Sequence, residues 1–296
     1  LTETGYKPTD SSLRGTKQSQ RLRIYLINSL EESHPDTGTL FANWLSTEAN
    51  EANHIKRDTP VMCVIGNPPY SVSSNNKSEW IEKLTADYKK DLNERNIQPL
   101  SDDYIKFIRF GQHFIDKNGS GVLAYISNNS FIDGIIHKQM RKNLVESFDK
   151  IYILDLHGNA RKKEVCPDGS TDKNVFDIMQ GVSINIFIKN VKKKNSEFGK
   201  LLHFDLQGKR ETKYDFLTKN SLETINWNKI DLISPNYFFV NKKNEDLKLF
   251  NSYIDLRQLF VENSMGIATG NDDELVSFDK TIILNKFTSA SKFYYR

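Results

Sequence analysis

The sequence predicts an α/β protein built on a doubly wound sheet. Two observations carry this. Short apolar segments of strand length recur along the chain, and segments with helical spacing of apolar residues separate them. The first firm strand is Val61-Met62-Cys63-Val64-Ile65, a continuous β-branched-rich run stopped by Gly66. Such a run suits a strand buried on both faces of a parallel sheet.

Upstream, Arg21 to Ile27 alternates with Leu22, Ile24 and Leu26 on one face, the pattern of a strand. Downstream, Trp80, Leu84, Tyr88 and Leu92 recur every fourth residue, a helical stripe behind a Ser78 cap. Ser101 is expected to open a second helix carrying Tyr104, Phe107, Ile108 and Phe114, closed by Asn118-Gly119. Val122 to Ile126 reads as the next buried strand. A helix follows with Ile136, Met140 and Leu144 on one face, then strands at Ile151–Leu154 and Val182–Ile188. After about Lys189 the segments shorten and the charged run Lys192-Lys193-Lys194-Asn195 intervenes. This marks a soft domain boundary, giving expected domains of 1–195 and 196–296.

Composition narrows the classes. At 296 residues and 38% hydrophobic content the chain can bury a real core. A net charge of +3 with 27% charged residues is mildly basic, compatible with nucleic acid without demanding it. The mean hydropathy of −0.57 and the lack of a long apolar run argue against a membrane span. The two cysteines, Cys63 and Cys166, form no framework, and the reading is a reducing cytoplasm. None of the six histidines has metal-ligand spacing, so no metal is expected. The ends, Leu1 and Phe293-Tyr294-Tyr295-Arg296, read as cuts through a longer protein.

The segment that carries chemistry is Asn67-Pro68-Pro69-Tyr70, immediately beyond the carboxyl end of the first firm strand. In doubly wound sheets ligands bind just outside those ends. An aromatic amino group is a poor nucleophile because its lone pair is delocalised into the ring. The Asn67 side-chain oxygen and the Pro68 carbonyl can each accept one N–H of such a group. That favours a pyramidal nitrogen whose lone pair can attack a methyl sulfonium. Pro68 and Pro69 hold the acceptors rigid, so little reorganisation is needed. Tyr70 offers a flat face on which a base can stack. The plainer reading is a turn after a strand, since Gly, Asn and Pro are ordinary turn residues.

With these residues the chain resembles the gamma-class amino-methyltransferases that modify adenine N6 in DNA. More narrowly, it is similar to the methylase region of Type ISP and Type IIG single-polypeptide restriction–modification enzymes. The likeness rests on Leu22 to Glu31, Gly66 to Tyr70, Tyr104 to Phe110, Ile151 to Asn159, and Asn174-Val175-Phe176-Asp177 with Gln180 to Ile184. It implies the C-terminal part of a Rossmann-like methyltransferase sheet, double-stranded DNA as partner, and base flipping. It also implies S-adenosylmethionine as methyl donor and Phe176 as a second stacking partner for the flipped adenine. Flipping costs a few kcal/mol, and each aromatic stack returns roughly 1–3 kcal/mol. The alternative for Phe176 is ordinary core packing.

The resemblance also shows what is missing. The family's donor-binding loop is a Gly-rich turn between a first strand and its helix, and nothing before Asn67 fits. Gly119-Ser120-Gly121 precedes a strand and reads as a turn. The cofactor-binding residues therefore stay unknown, with the main loop expected upstream of Leu1. The rest of the parent polypeptide, with nuclease and ATPase segments, is expected upstream as well. His157 in Asp155-Leu156-His157-Gly158-Asn159 reads as a structural strand end. Pro167-Asp168 with Glu211-Thr212-Lys213 mimics a nuclease pattern that chance produces in charged chains. Lys138-Arg141-Lys142, Arg161-Lys162-Lys163 and Lys192 to Lys194 are either phosphate contacts or solvated faces. Gly266 to Asp273 resembles the junction with a target-recognition domain, so residues 196–296 are expected to hold a connector and the start of that domain. Two other functions fit the motif less well: a protein-glutamine methyltransferase, and a non-catalytic DNA-binding or assembly module.

Overall fold

A computed structural model describes residues 24–25, 27–32, 43–70, 74–190, 197–242, 249–250, 252–254, 256–260 and 276–290. The chain divides into two compact units, residues 1–242 and 243–296. The first is α/β. Its strands are β1 (Cys63–Gly66), β2 (Gly121–Asn128), β3 (Lys150–Asp155), β4 (Val182–Lys189), β5 (Lys200–Asp205) and β6 (Asn228–Ile230). They form a six-stranded mixed sheet in the order β1-β2-β4-β3-β5-β6. Its helices include α1 (Asn43–Asp58), α2 (Glu79–Lys89), α3 (Asp103–Asn118), α4 (Ser130–Asp133), α5 (Lys138–Ser147) and α6 (Arg210–Lys219).

β1 runs parallel to β2, and β3 parallel to β5, while β4 lies antiparallel between β2 and β3. The carboxyl ends of β1, β2, β3 and β5 therefore share one edge of the sheet. The amino end of β4 joins them there. A buried polar knot helps hold β4 in register: Asn185 Nδ2 donates to Ser127 Oγ at 3.0 Å, and Ser183 Oγ donates to Asn185 Oδ1 at 2.9 Å. A one-residue slip would turn that knot and the buried Phe187 to the other face.

The main core gathers Tyr88, Tyr104, Ile108, Leu123, Met140 and Phe187 from α2, α3, β2, α5 and β4. α3 packs on β2, and α2 lies against α3 and α5. Helix ends follow local chemistry. The Ser78 side chain accepts from Ile81 N at the start of α2, as expected. The cap of α3 is Asp102 instead of Ser101, because its carboxylate reaches Tyr104 N. Gly119 closes α3 at φ +83°, a left-handed conformation that glycine adopts without steric cost.

Several expectations need correction. β1 is not buried on both faces: it ends the strand order, and Ile65 is 79% exposed. The buried face of α2 is Ile81, Thr85 and Tyr88, and Leu92 lies beyond the end of the helix. Ile24, Tyr25 and Ile27 form no strand, while Leu22 and Leu26 lie outside the described residues. The sheet also runs through the expected boundary near Lys189, since β5 pairs with β3 and the compact unit continues to Lys242.

In the second unit the described residues include helices at Leu256–Leu259 and Lys280–Ala290, with Phe260 and Phe278 exposed. Lys192 to Lys194, Gly266 to Asp273 and Phe293 to Arg296 lie outside the described residues. Among the described residues no helix is long and apolar enough to cross a membrane.

One buried basic pair carries a pH signature. Arg141 is fully buried and donates to the carbonyls of Phe131, Gly134 and Asn236. Beside it, burial and then the Arg141 charge push the His137 imidazole down to about 3. An unfolded histidine titrates near 6.5, so between those values the unfolded chain binds the extra proton, and stability falls as pH drops. Urea unfolding should show the wild type losing about 2 kcal/mol relative to His137→Leu between pH 6.5 and pH 5. Parallel losses in both proteins would contradict this.

Candidate functional site

Asn67 to Tyr70 leaves the carboxyl end of β1 and enters the shared edge. Gly66 sits opposite Tyr125 in the register, and a Cβ there would come within 3.2 Å of the Tyr125 ring. Asn67 and Pro69 are exposed and Pro68 is buried. The Tyr70 hydroxyl donates to Asn67 Oδ1 at 3.2 Å, and its ring meets Tyr104 edge-on with centroids 6.3 Å apart. Burial raises the Tyr70 phenol to about 12, so it stays a neutral donor at ordinary pH. The Asn67 carbonyl has a second lone pair, so it can still accept from a ligand.

The 156–181 connection links β3 to β4 and begins and ends at the same edge. His157 and Gly158 both have positive φ, +51° and +80°. A Cβ at Gly158 would lie 2.4 Å from Asn174 Cα, so the two backbones need this closeness. Asn174 closes the loop: its Nδ2 donates to the carbonyls of Gly158 and Gln180, and its Oδ1 accepts from Phe176 N at 2.8 Å. Phe176 is half-buried. It and Tyr70 pack against the same small cluster of Leu154, Leu156, Val175, Val182 and Leu206. The expected stacking pair is thus brought onto one patch of core. A cavity of about 620 Å³ opens beside Phe176, lined also by Asn159, Lys163, Glu164, Asn174 and Arg210.

α6 clamps this loop from outside. Arg210 donates to the carbonyls of Asn174 and Phe176 and to Asp177 Oδ1 at 2.7 Å. Lys213 and Asp172 form an ion pair with both side chains fully buried, 2.9 Å apart. Lys213 also donates to the carbonyls of Leu156 and Lys173. Asn174 entered the sequence analysis only within the family likeness and Lys213 only within the nuclease-like Glu211-Thr212-Lys213, while Arg210 was not singled out; none was given this loop-holding role. For α6 the local signal was a lysine and an arginine at helical spacing beyond the main likeness.

The remaining candidates sort differently. Of Lys138-Arg141-Lys142, Arg141 is buried, Lys138 is paired with Glu94 at 2.7 Å, and Lys142 stays partly exposed 3.8 Å from Glu146. Arg161, Lys162 and Lys163 are exposed on the 156–181 loop. Asp168 accepts from the Ser170 backbone and hydroxyl, which accounts for Pro167-Asp168 as a turn. His157, read as structural, hydrogen-bonds Asp205 at 2.8 Å. Burial opposes its charged form, but Asp205, Asp155 and Glu164 outweigh that and raise its pKa. No described residue before β1 forms a Gly-rich turn between strand and helix, so the described residues do not fit the methyl donor's main loop.

Residues 9–161 match the family model described as Eco57I restriction-modification methylase. Among solved structures, the chain is similar to the ATP-dependent Type ISP restriction-modification enzyme LlaBIII bound to DNA. The TM-score is 0.68 at 27% identity, over 91% of this chain and 18% of that one. It also resembles DrdV in a DNA complex, with TM-score 0.63 and 23% identity over 90% of this chain and 27% of that one. A nuclease-deletion mutant of the Type ISP enzyme LlaGI, in complex with a DNA substrate mimic, gives TM-score 0.63 and 23% identity, over 88% of this chain and 25% of that one. This chain thus spans roughly a fifth to a quarter of the length of these proteins. No curated protein matches it.

The clamp has a measurable consequence. Lys213→Met strands the Asp172 carboxylate in the interior, and losing one partner of a buried pair costs about 3–5 kcal/mol. Urea unfolding should show a loss of that size; a change below about 1 kcal/mol would mean the pair does not hold the loop.

Proposed function

This chain belongs to the Eco57I restriction-modification methylase family, and from that premise we propose that it supplies the base-binding side of a DNA methyltransferase acting on adenine N6. The observation that carries the reading is the place of Asn67-Pro68-Pro69-Tyr70 at the carboxyl end of β1, with Tyr70 and Phe176 on one core cluster. A flipped adenine would stack on Tyr70 with Phe176 as its second aromatic partner. Asn67 Oδ1 and the Pro68 carbonyl would accept its two amino hydrogens and turn the nitrogen lone pair outward. Pro68 and Pro69 keep both acceptors in place before the base arrives. Tyr104, edge-on to Tyr70, holds that ring against displacement. The positive side chains of Arg161, Lys162 and Lys163 lie on the loop that carries Phe176, where a DNA backbone would pass.

The methyl donor of this reading is S-adenosylmethionine, and its main binding loop lies outside the described residues. The larger relatives are seen with DNA, which supports DNA as the partner here. The protein-glutamine alternative finds no support in a restriction-modification family. The connector and the beginning of target recognition fall, in this reading, to the second unit, residues 243–296.

In the longer parent protein, Asn67→Ala should lower adenine methylation at least a hundredfold, the loss of one oriented acceptor in the transition state. DNA binding in a gel shift should be unchanged; methylation retained within tenfold would refute the role of Asn67. For residues 1–296 alone, calorimetry should give no binding of S-adenosylmethionine tighter than about 100 μM. Micromolar binding would place the donor site within this chain.

A further inference from the structure

β3 and β5 end with two carboxylates face to face. Asp155 is paired directly with Asp205 in the parallel register, and Ile153 with His203. Side chains two apart on a strand share a face, so Asp155, His203 and Asp205 point to the same side. Like charges placed directly opposite repel, and Asp155 is almost fully buried. The His157 ring lies against both, 2.8 Å from Asp205 and 3.7 Å from Asp155, and offsets part of that repulsion.

The hydrogen bonds divide each carboxylate in two. On Asp155, Oδ1 accepts from Asn129 Nδ2 at 2.9 Å and from His157 N at 3.0 Å. On Asp205, Oδ1 takes the contact with His157 Nε2 at 2.8 Å. The Oδ2 atoms are held less closely: that of Asp155 lies 3.7 Å from His157 Nδ1, and that of Asp205 lies 3.5 Å from His203 Nδ1. His203 is only 2% exposed, and its Nε2 has no hydrogen-bond partner among the described residues. The nitrogen that can serve as a ligand is Nδ1, which faces Asp205 Oδ2 with its ring held inside the protein. One ligand atom from each of Asp155, His203 and Asp205 lies within 4.8 Å of the others.

We propose that Asp155, His203 and Asp205 hold a divalent cation of the zinc class at the joined ends of β3 and β5. Carboxylate and imidazole ligands suit Zn²⁺, with three protein ligands and one position for water. Mg²⁺ and Ca²⁺ prefer all-oxygen shells, so the buried imidazole selects against them. The oxygens already bound by Asn129 and His157 orient the carboxylates around the ion, the usual outer support of a metal site. The ion neutralises the opposed charges and ties the root of the 156–181 loop to β5. His203 and Asp205 meet Asp155 only through strand pairing, so no spacing in the sequence marks the set. The site is independent of the methylation reading and contributes no group to that chemistry.

The test uses the 296-residue chain, stripped with chelator and dialysed. Zn²⁺ is titrated by calorimetry, and retained metal is measured by mass spectrometry after gel filtration. Close to one equivalent of Zn²⁺ should stay bound, and Tm should rise with Zn²⁺ but not with Mg²⁺. Asp205→Asn leaves a half-exposed position with the same shape, so it should fold, which circular dichroism checks. It should weaken Zn²⁺ at least tenfold and abolish the Tm rise; His203→Gln should do the same. Failure of the wild type to retain Zn²⁺ overturns the proposal. So does Zn²⁺ binding with affinity unchanged in Asp205→Asn, which would place the metal elsewhere, at Cys63 for example.

Discussion

The placement of β4 governs the architecture. It runs antiparallel between two strands that point the other way, so its amino end meets the carboxyl ends of β1, β2, β3 and β5. The connection into β4 must therefore start and finish at the edge where Asn67 to Tyr70 emerges. Had β4 been parallel, that connection would have crossed to the other end of the sheet, and Phe176 with it. The knot of Asn185, Ser183 and Ser127 pins this arrangement inside the core. Such polar groups are tolerated when satisfied, and then they specify one register.

An irregular segment that packs against a core must satisfy its own backbone groups. The 156–181 loop does so mostly with side chains. Asn174 bridges its two ends, and Arg210 and Lys213 from α6 cap its inward carbonyls. The buried charge of Lys213 is matched by Asp172, and their attraction together with the carbonyl contacts of Lys213 offsets the cost of taking both groups out of water. The result is a rigid base for Phe176 on a segment with no regular secondary structure. That rigidity links the small apolar cluster beneath Tyr70 and Phe176 to the electrostatics of the loop above it.

The same edge concentrates charge. Asp155, Asp205 and Glu164 surround His157, while Lys163 and Arg210 stand on the cavity beside Phe176. Acidic groups collect at the root of the loop and basic ones toward its exposed turn. The root is where a cation is accommodated, and the turn is where a polyanion can approach. Backbone strain at His157, with φ +51°, coincides with this division. Its ring is held by Asp205, and its amide by Asp155.

The sequence by itself determined the strands between residues 60 and 189, the caps at Ser78 and Gly119, and the motif Asn67 to Tyr70, because these depend on neighbours only a few residues away; β5 and β6 lay beyond that reading. Apolar runs, turn residues and helix ends are local physics. The family resemblance added Phe176 as a proposed stacking partner, which no periodicity reveals. It was silent on the exposed edge at β1, since an apolar run reads alike whether one face or two are covered. It was equally silent on α6 as a clamp, and on Asp155 meeting His203 and Asp205 from far along the chain. Tertiary structure decided those: strand pairing sets which distant side chains face each other, and only then do charge and burial acquire partners.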